Sequence, residues 1–310
     1  MKKLNLKLNI KNWNFKEFIA KIKEKPSKFI YSAFIVIFAA IFLCSTGFLV
    51  VYYINSNKQA QQNDHLASIV EQAQKEMGAD NTIINPDGTL NIDPKNPLLN
   101  NKNIYAEVTH PTTGETMAIL KEYATVFLMN SDMVGWIKIP GTQVNYPIMQ
   151  TPNEPEFYLK KDFYKEYARH GSIFAHESAS FQSLSTNITL YGHNMADGAM
   201  FAGLHAYEDP VFYEEHPYIL FDTLTSHNIY KIIAVFYTTD IPLKGFMYHT
   251  YVDGNEEDFE YFISECKARS MYEISDTAVF GDRLLTLSTC DHNVIDEHGR
   301  FVVVAKKVSL

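Results

Sequence analysis

Residues 284–308 read LLTLSTCDHNVIDEHGRFVVVAKKV, two apolar runs on either side of a polar loop. The first run is rich in Leu and Thr and ends at Cys290; the second opens at Arg300 and continues as Phe-Val-Val-Val-Ala. Runs of this length, dense in β-branched residues, predict strand, loop, strand. In the first strand Leu284, Thr286 and Ser288 share one face, because side chains alternate with period two. If the two strands pair as a hairpin, Cys290 and Arg300 meet at one rim.

The same pattern repeats outward from this hairpin. Strands are expected at Val134–Ile139, Tyr146–Gln150, Gly171–Ala175, Ile188–Tyr191, Tyr218–Asp222, Asn228–Thr238, Arg283–Cys290 and Phe301–Val308. Eight strands in some two hundred residues predict a mainly β fold with helical inserts, closed or nearly closed as a barrel. The inserts are Met200–Glu215, broken at Pro210, and Glu256–Arg269, with Phe259, Phe262, Ile263 and Cys266 on one face. A further helix is expected over Glu115–Met129.

The N-terminal third differs in kind. Residues 29–54, FIYSAFIVIFAAIFLCSTGFLVVYYI, lack Asp, Glu, Lys, Arg and His, and as a helix they exceed the hydrocarbon core of a bilayer. The first 28 residues carry a net charge of +7 and everything after the span −16. Positive charge beside an apolar span predicts a single-pass anchor in the cell membrane with its N-terminus cytoplasmic and the rest of the chain outside. A cleaved signal peptide has a shorter apolar region ending in small residues, unlike VVYYINSN. The basic tail, with Trp13, Phe15, Phe18, Ile19 and Ile22 among its lysines, suits an amphipathic helix on anionic lipid or a solvated tail. Leu66, Ile69, Val70, Ala73 and Met77 recur at helical spacing, as in a stalk or packing helix, and residues 78–103 read as a linker. The expected division is thus tail 1–28, anchor 29–54, helical stalk and linker 55–103, and a catalytic or binding domain 104–310.

Composition narrows the function. An exported part at −16 has no general basic surface for nucleic acid. Three cysteines, one of them Cys44 inside the span, exclude a disulfide-stapled fold, although one bridge between Cys266 and Cys290 stays open. The alternative is a working thiol at one of them. Cys290 has a guanidinium nearby to favour thiolate or steady an oxyanion. An imidazole stands at the end of another strand, in NITLYGHNM (187–195), where His193 follows Gly192. Most other histidines, including His65, His110, His227 and His249, read as exposed bystanders, and none has a zinc-site pattern.

These residues carry a resemblance. TLSTC (286–290), YGHNM (191–195) and Arg300 leading FVVVAKK, with NSDMVGWIKIPGT (130–142), YPIMQ (146–150) and YLKKDF (158–163) upstream, are similar to the class B sortases of Gram-positive bacteria. The resemblance runs from about residue 115 onward and implies an eight-stranded sortase β-barrel acting as a cysteine transpeptidase. It implies that Cys290 attacks a Thr carbonyl in the C-terminal sorting signal of a secreted protein and that His193 protonates the leaving amine. The resulting thioester passes to an amine of a cell-wall precursor, or in the alternative reading to a pilin Lys, with no cofactor and no metal. Arg300 binds substrate backbone or oxyanion. The Asp291 N–H supplies a second donor, with its side chain expected to face solvent, and Ser288, Thr289 and Tyr191 line the pocket. A membrane-anchored binding protein that kept the barrel and lost activity is the third reading, opposed by the intact Cys290, His193 and Arg300.

Overall fold

The two apolar runs within 284–308 form the expected strands, with β9 (Leu284–Asp291) and β10 (Gly299–Lys307) pairing antiparallel and Arg300 opposite Cys290. The computed structural model describes residues 26–78, 89–90, 104–242, 244–291 and 298–308. Six further strands complete a closed eight-stranded barrel: β3 (Met133–Lys138), β4 (Asn145–Met149), β5 (Ile173–Ala175), β6 (Asn187–Tyr191), β7 (Tyr218–Thr223) and β8 (Ile229–Thr239). Around the barrel the order is β10, β8, β7, β3, β4, β5, β6, β9, with β4–β5 and β6–β9 parallel and the other pairs antiparallel.

Alternation along each strand decides what goes inside. Leu285 and Leu287 of β9 and Phe301, Val303 and Ala305 of β10 enter the barrel core with Ile188, Leu190, Phe221 and Tyr230. The opposite face is also covered. Leu284, Val302 and Val304 meet Phe259, Phe262, Ile263 and Cys266 of the helix Glu256–Arg269. Burial on both faces explains why β10 is a continuous apolar run instead of an alternating one. The helix starts where its sequence signals it, with Asn255 and Asp258 forming a reciprocal capping box.

One expectation is overturned. Glu115–Met129 is not a single helix: Thr116–Leu120 is a strand, β2, paired antiparallel with β1 (Tyr105–Thr109), and only Ala124–Met129 is α-helical. The turn at Gly114, with φ +76°, reverses the chain into this hairpin. Met117 and Ile119 then cover Val108 and Phe127 on one side of it. The insert at 201–215 is a 3-10 helix, Phe201–Glu208, and a short α-helix, Pro210–Glu215, capped by Asp209.

The N-terminal helix runs unbroken from Pro26 to Glu76. It is the one helix among the described residues long and apolar enough to cross a membrane. The chain divides at Asn55/Ser56 into two units. Within the second, the helix packs on the barrel, with Leu66 and Val70 buried beside Ile104, Tyr123, Trp136 and Tyr158. The tail 1–25 and nearly all of the linker 78–103 lie outside the described residues.

Candidate active site

Cys290 is the penultimate residue of β9, on its outer face. Residues paired directly across an antiparallel ladder share a face, so Arg300 emerges beside it. The parallel partner of β9 is β6, whose last pair is Tyr191 with Ser288. The chain that continues past Tyr191 therefore runs alongside Cys290, and there lies His193. Three bonds hold this approach: Gly192 N to Ser288 O at 3.2 Å, Thr289 Oγ1 to Gly192 O at 2.8 Å, and Asn194 Nδ2 to Cys290 O at 3.1 Å.

His193 Nε2 lies 2.7 Å from the carbonyl oxygen of Leu159. A carbonyl only accepts, so Nε2 is the donor in this contact. The loop behind it is tied down at Asp197, whose carboxylate accepts from His170 Nε2 at 2.6 Å and Ser56 Oγ at 2.5 Å. Burial alone would raise the Asp197 carboxyl, but the bonds from Ser56 and His170 outweigh it and hold it below the usual range.

Cys290, His193 and Arg300 line one cleft of about 520 Å³, with Tyr191, Ser288 and Thr289 also on its wall. Its lining also includes residues that the sequence reading did not assign to the site: Leu159, His176, Glu177, Asp240, Tyr248 and His249. Tyr248 and Ser288 share a buried hydrogen bond of 2.6 Å between their hydroxyls. Burial pushes the Tyr248 hydroxyl up to about 12, so it is protonated at neutral pH. His249 is half-buried in the cleft, and burial followed by the neighbouring His176 lowers its pKa. It is no exposed bystander.

His227 corrects the sequence reading as well. Its side chain is only 7% exposed and lies 2.8 Å from Asp222 and 3.1 Å from Glu122, which is wholly buried. Asp222 is a near neighbour in the chain, but Glu122 lies in a 3-10 turn some hundred positions away, where no local pattern points to it. Asp291 is opposite Gly299, and its side-chain orientation lies outside the described residues.

Cys290 is a free thiol, half-exposed at the cleft, and Cys266 is a free thiol on the buried face of the Glu256–Arg269 helix, where burial pushes it far above its ordinary range. Two thiols of such different exposure have different chemistry: one is accessible to an electrophile and the other is a small hydrophobe. A family model described as the sortase domain matches residues 137–308, which takes in both the His193 loop and the Cys290–Arg300 hairpin. The chain belongs to the sortase family.

Its relatives place it in class B. It is 37% identical over 200 residues to sortase B of Listeria monocytogenes, covering 64% of this chain and 78% of the relative. Against sortase B of Staphylococcus aureus the identity is 34% over 189 residues, 61% and 75% of the two chains. Among solved structures, a Staphylococcus aureus sortase B–substrate complex superposes with a TM-score of 0.63 at 26% identity, covering 83% of this chain and 99% of the other. Sortase B from Listeria monocytogenes gives a TM-score of 0.51 at 35% identity, over 58% of this chain and 96% of the other. This sortase is a cysteine transpeptidase of class B.

Proposed function

We propose that Cys290 is the nucleophile of this sortase, His193 its general acid and base, and Arg300 the donor to the substrate carbonyl or oxyanion. The observation that carries the reading is that these three side chains line one cleft of a class B sortase barrel. The Cys290 thiolate attacks the scissile carbonyl carbon of a sorting signal. The C–N bond breaks, the leaving amine takes a proton from His193 Nδ1, and a thioester remains on Sγ. An incoming amine gives a proton back to His193 and attacks that thioester, which releases the thiolate and forms a new amide. During both attacks negative charge collects on the carbonyl oxygen, where a guanidinium counts most. The Asp291 N–H offers a second donor there, and Ser288, Thr289 and Tyr191 shape the wall.

The substrate is a secreted protein with a C-terminal sorting signal, and the acceptor is the amine of a cell-wall precursor. One solved sortase B relative is a substrate complex, which supports a peptide in the equivalent cleft. Residues 29–54 anchor the enzyme in the cell membrane, with 1–28 cytoplasmic, 55–103 as stalk and linker, and the catalytic domain 104–310 extracellular. The long apolar helix and the +7 flank support that topology. Incubating the full chain in detergent with a panel of sorting pentapeptides, with and without amine acceptors, tests the reaction. Mass spectrometry should find an acyl adduct on Cys290 that an amine discharges. No adduct with any peptide would overturn the assignment. Protease added to intact cells should remove the catalytic domain, and protection of it would overturn the topology.

A further inference from the structure

We propose that Asp240 is the positioning residue of Arg300: it sets the plane of the guanidinium before substrate arrives. The inference deepens the reading above, since it rests on Arg300 acting upon the substrate. Asp240 is the first residue past β8, whose Thr239 pairs with Gly299 of β10, so the register delivers its carboxylate to the start of β10. The backbone continues the ladder by one more bond, Asp240 N to His298 O at 3.2 Å.

Both carboxylate oxygens are engaged. Oδ2 accepts from Arg300 Nη2, and Oδ1 lies 3.0 Å from His298 Nδ1. Arg300 Nη1 in turn donates to the carbonyl of Gly299 at 2.8 Å. Two separated anchors on one rigid planar group fix its orientation, whereas a single one would leave it free to swing. Arg300 and Asp240 keep only 21% and 29% of their side chains exposed, so the pair is shielded more than a surface ion pair. Asp240 and Arg300 both line the cleft with Cys290, so a change in guanidinium plane is felt where the oxyanion forms. A carboxylate that only stapled the loop to β10 would need no contact with Arg300, because the His298 contact and the backbone bond already do that.

Single-turnover thioester formation by the full chain in detergent decides the matter, with a reactive sorting pentapeptide and thermal unfolding run in parallel. Asp240→Ala is expected to slow acylation on the order of 10- to 100-fold, the scale of a misaligned catalytic group. Asp240→Asn keeps the shape and one acceptor oxygen, so it should lose less, about 5-fold, with an unfolding temperature near that of the wild type. In an Arg300→Ala background the same Asp240 substitutions should change the rate by less than about 2-fold, because nothing remains to be positioned. Equal losses in both backgrounds would make Asp240 a purely structural staple and overturn the proposal. So would Asp240 variants within about 2-fold of wild type, or an Arg300→Ala enzyme that acylates normally. The last outcome leaves the Cys290 thioester intact, whereas failure of the wild type to form any thioester sinks the proposed reaction itself.

Discussion

Arg300 stands directly across the β9–β10 ladder from Cys290, on the same outer face of the barrel wall. The backbone positions of Cys290 and Arg300 are thus fixed by the strand ladder. A planar fork at such a position can engage two acceptors at once, where an ammonium offers one point charge on a flexible stem. Arg300→Lys is therefore expected to be almost as damaging as Arg300→Ala, each costing about 2.7 to 4 kcal/mol of transition-state stabilisation, or two to three orders of magnitude in acylation rate. Single-turnover acylation measures it. Near-wild-type rates for the Lys variant would reduce Arg300 to a source of background charge.

The two cysteines that follow the apolar span should separate cleanly by alkylation. Cys290 borders the cleft and Cys266 is fully buried with its thiol pushed up by that burial. A maleimide or iodoacetamide pulse on the folded enzyme should label Cys290 and spare Cys266 until the protein is unfolded. Cys290→Ala should abolish peptide cleavage while Cys266→Ala retains most of it. Rapid native labelling of Cys266 would contradict the packing described.

Gly192 has no room for a side chain. A Cβ there would strike Ile173 Cδ1 and come within 2.7 Å of the Phe201 ring, which is itself fully buried. Gly192→Ala must push the chain outward immediately before His193. An overpacking cost of about 1 to 3 kcal/mol is expected, together with a drop in acylation larger than that loss of stability explains. Thermal unfolding and kinetics on one preparation check the pair of effects; an unchanged rate would show that the His193 loop tolerates the shift.

Stability at alkaline pH should report on His227. Burial, the largest single effect, lowers its pKa, but the charges of Asp222 and Glu122 and the hydrogen bonds to both together outweigh it, and the result is a pKa raised to about 10. A group whose folded pKa lies above its unfolded value, about 6.5 for His, stabilises the fold fully below that unfolded value. The contribution then shrinks as pH rises and is gone above about 10. Unfolding temperature should fall between pH 7 and 10, and His227→Gln should flatten that slope. The variant should also be less stable at neutral pH by about 3 to 5 kcal/mol, because two carboxylates lose their buried partner. A slope unaffected by the substitution would place the alkaline transition elsewhere.

Tyr248 supplies a last test. Its hydroxyl and that of Ser288 satisfy each other at 2.6 Å in a buried position. Tyr248→Phe strands the Ser288 hydroxyl at the floor of the cleft, which should cost about 1 to 3 kcal/mol, and the double variant with Ser288→Ala should recover part of it. Additive losses in chemical denaturation would deny the pairing.

Much of this was legible in the residues. Alternation and β-branching placed eight strands within a residue or two of their observed limits, and the nine residues between Cys290 and Arg300 in one hairpin already put the two together, because register within a hairpin is local. The capped helix at Glu256–Arg269 was legible for the same reason. What failed was the segment Glu115–Met129, whose mixed pattern suits a helix until Tyr105–Thr109 pairs with its first half. The contacts that complete the site are of that second kind. Arg300 meets Asp240 across sixty positions and His193 meets Leu159 across thirty-four, and away from the cleft His227 meets Glu122 across more than a hundred. No local propensity encodes such pairs. They arise because closing the barrel fixes every strand's register at once, so side chains remote in sequence arrive at one rim by the geometry of the whole sheet.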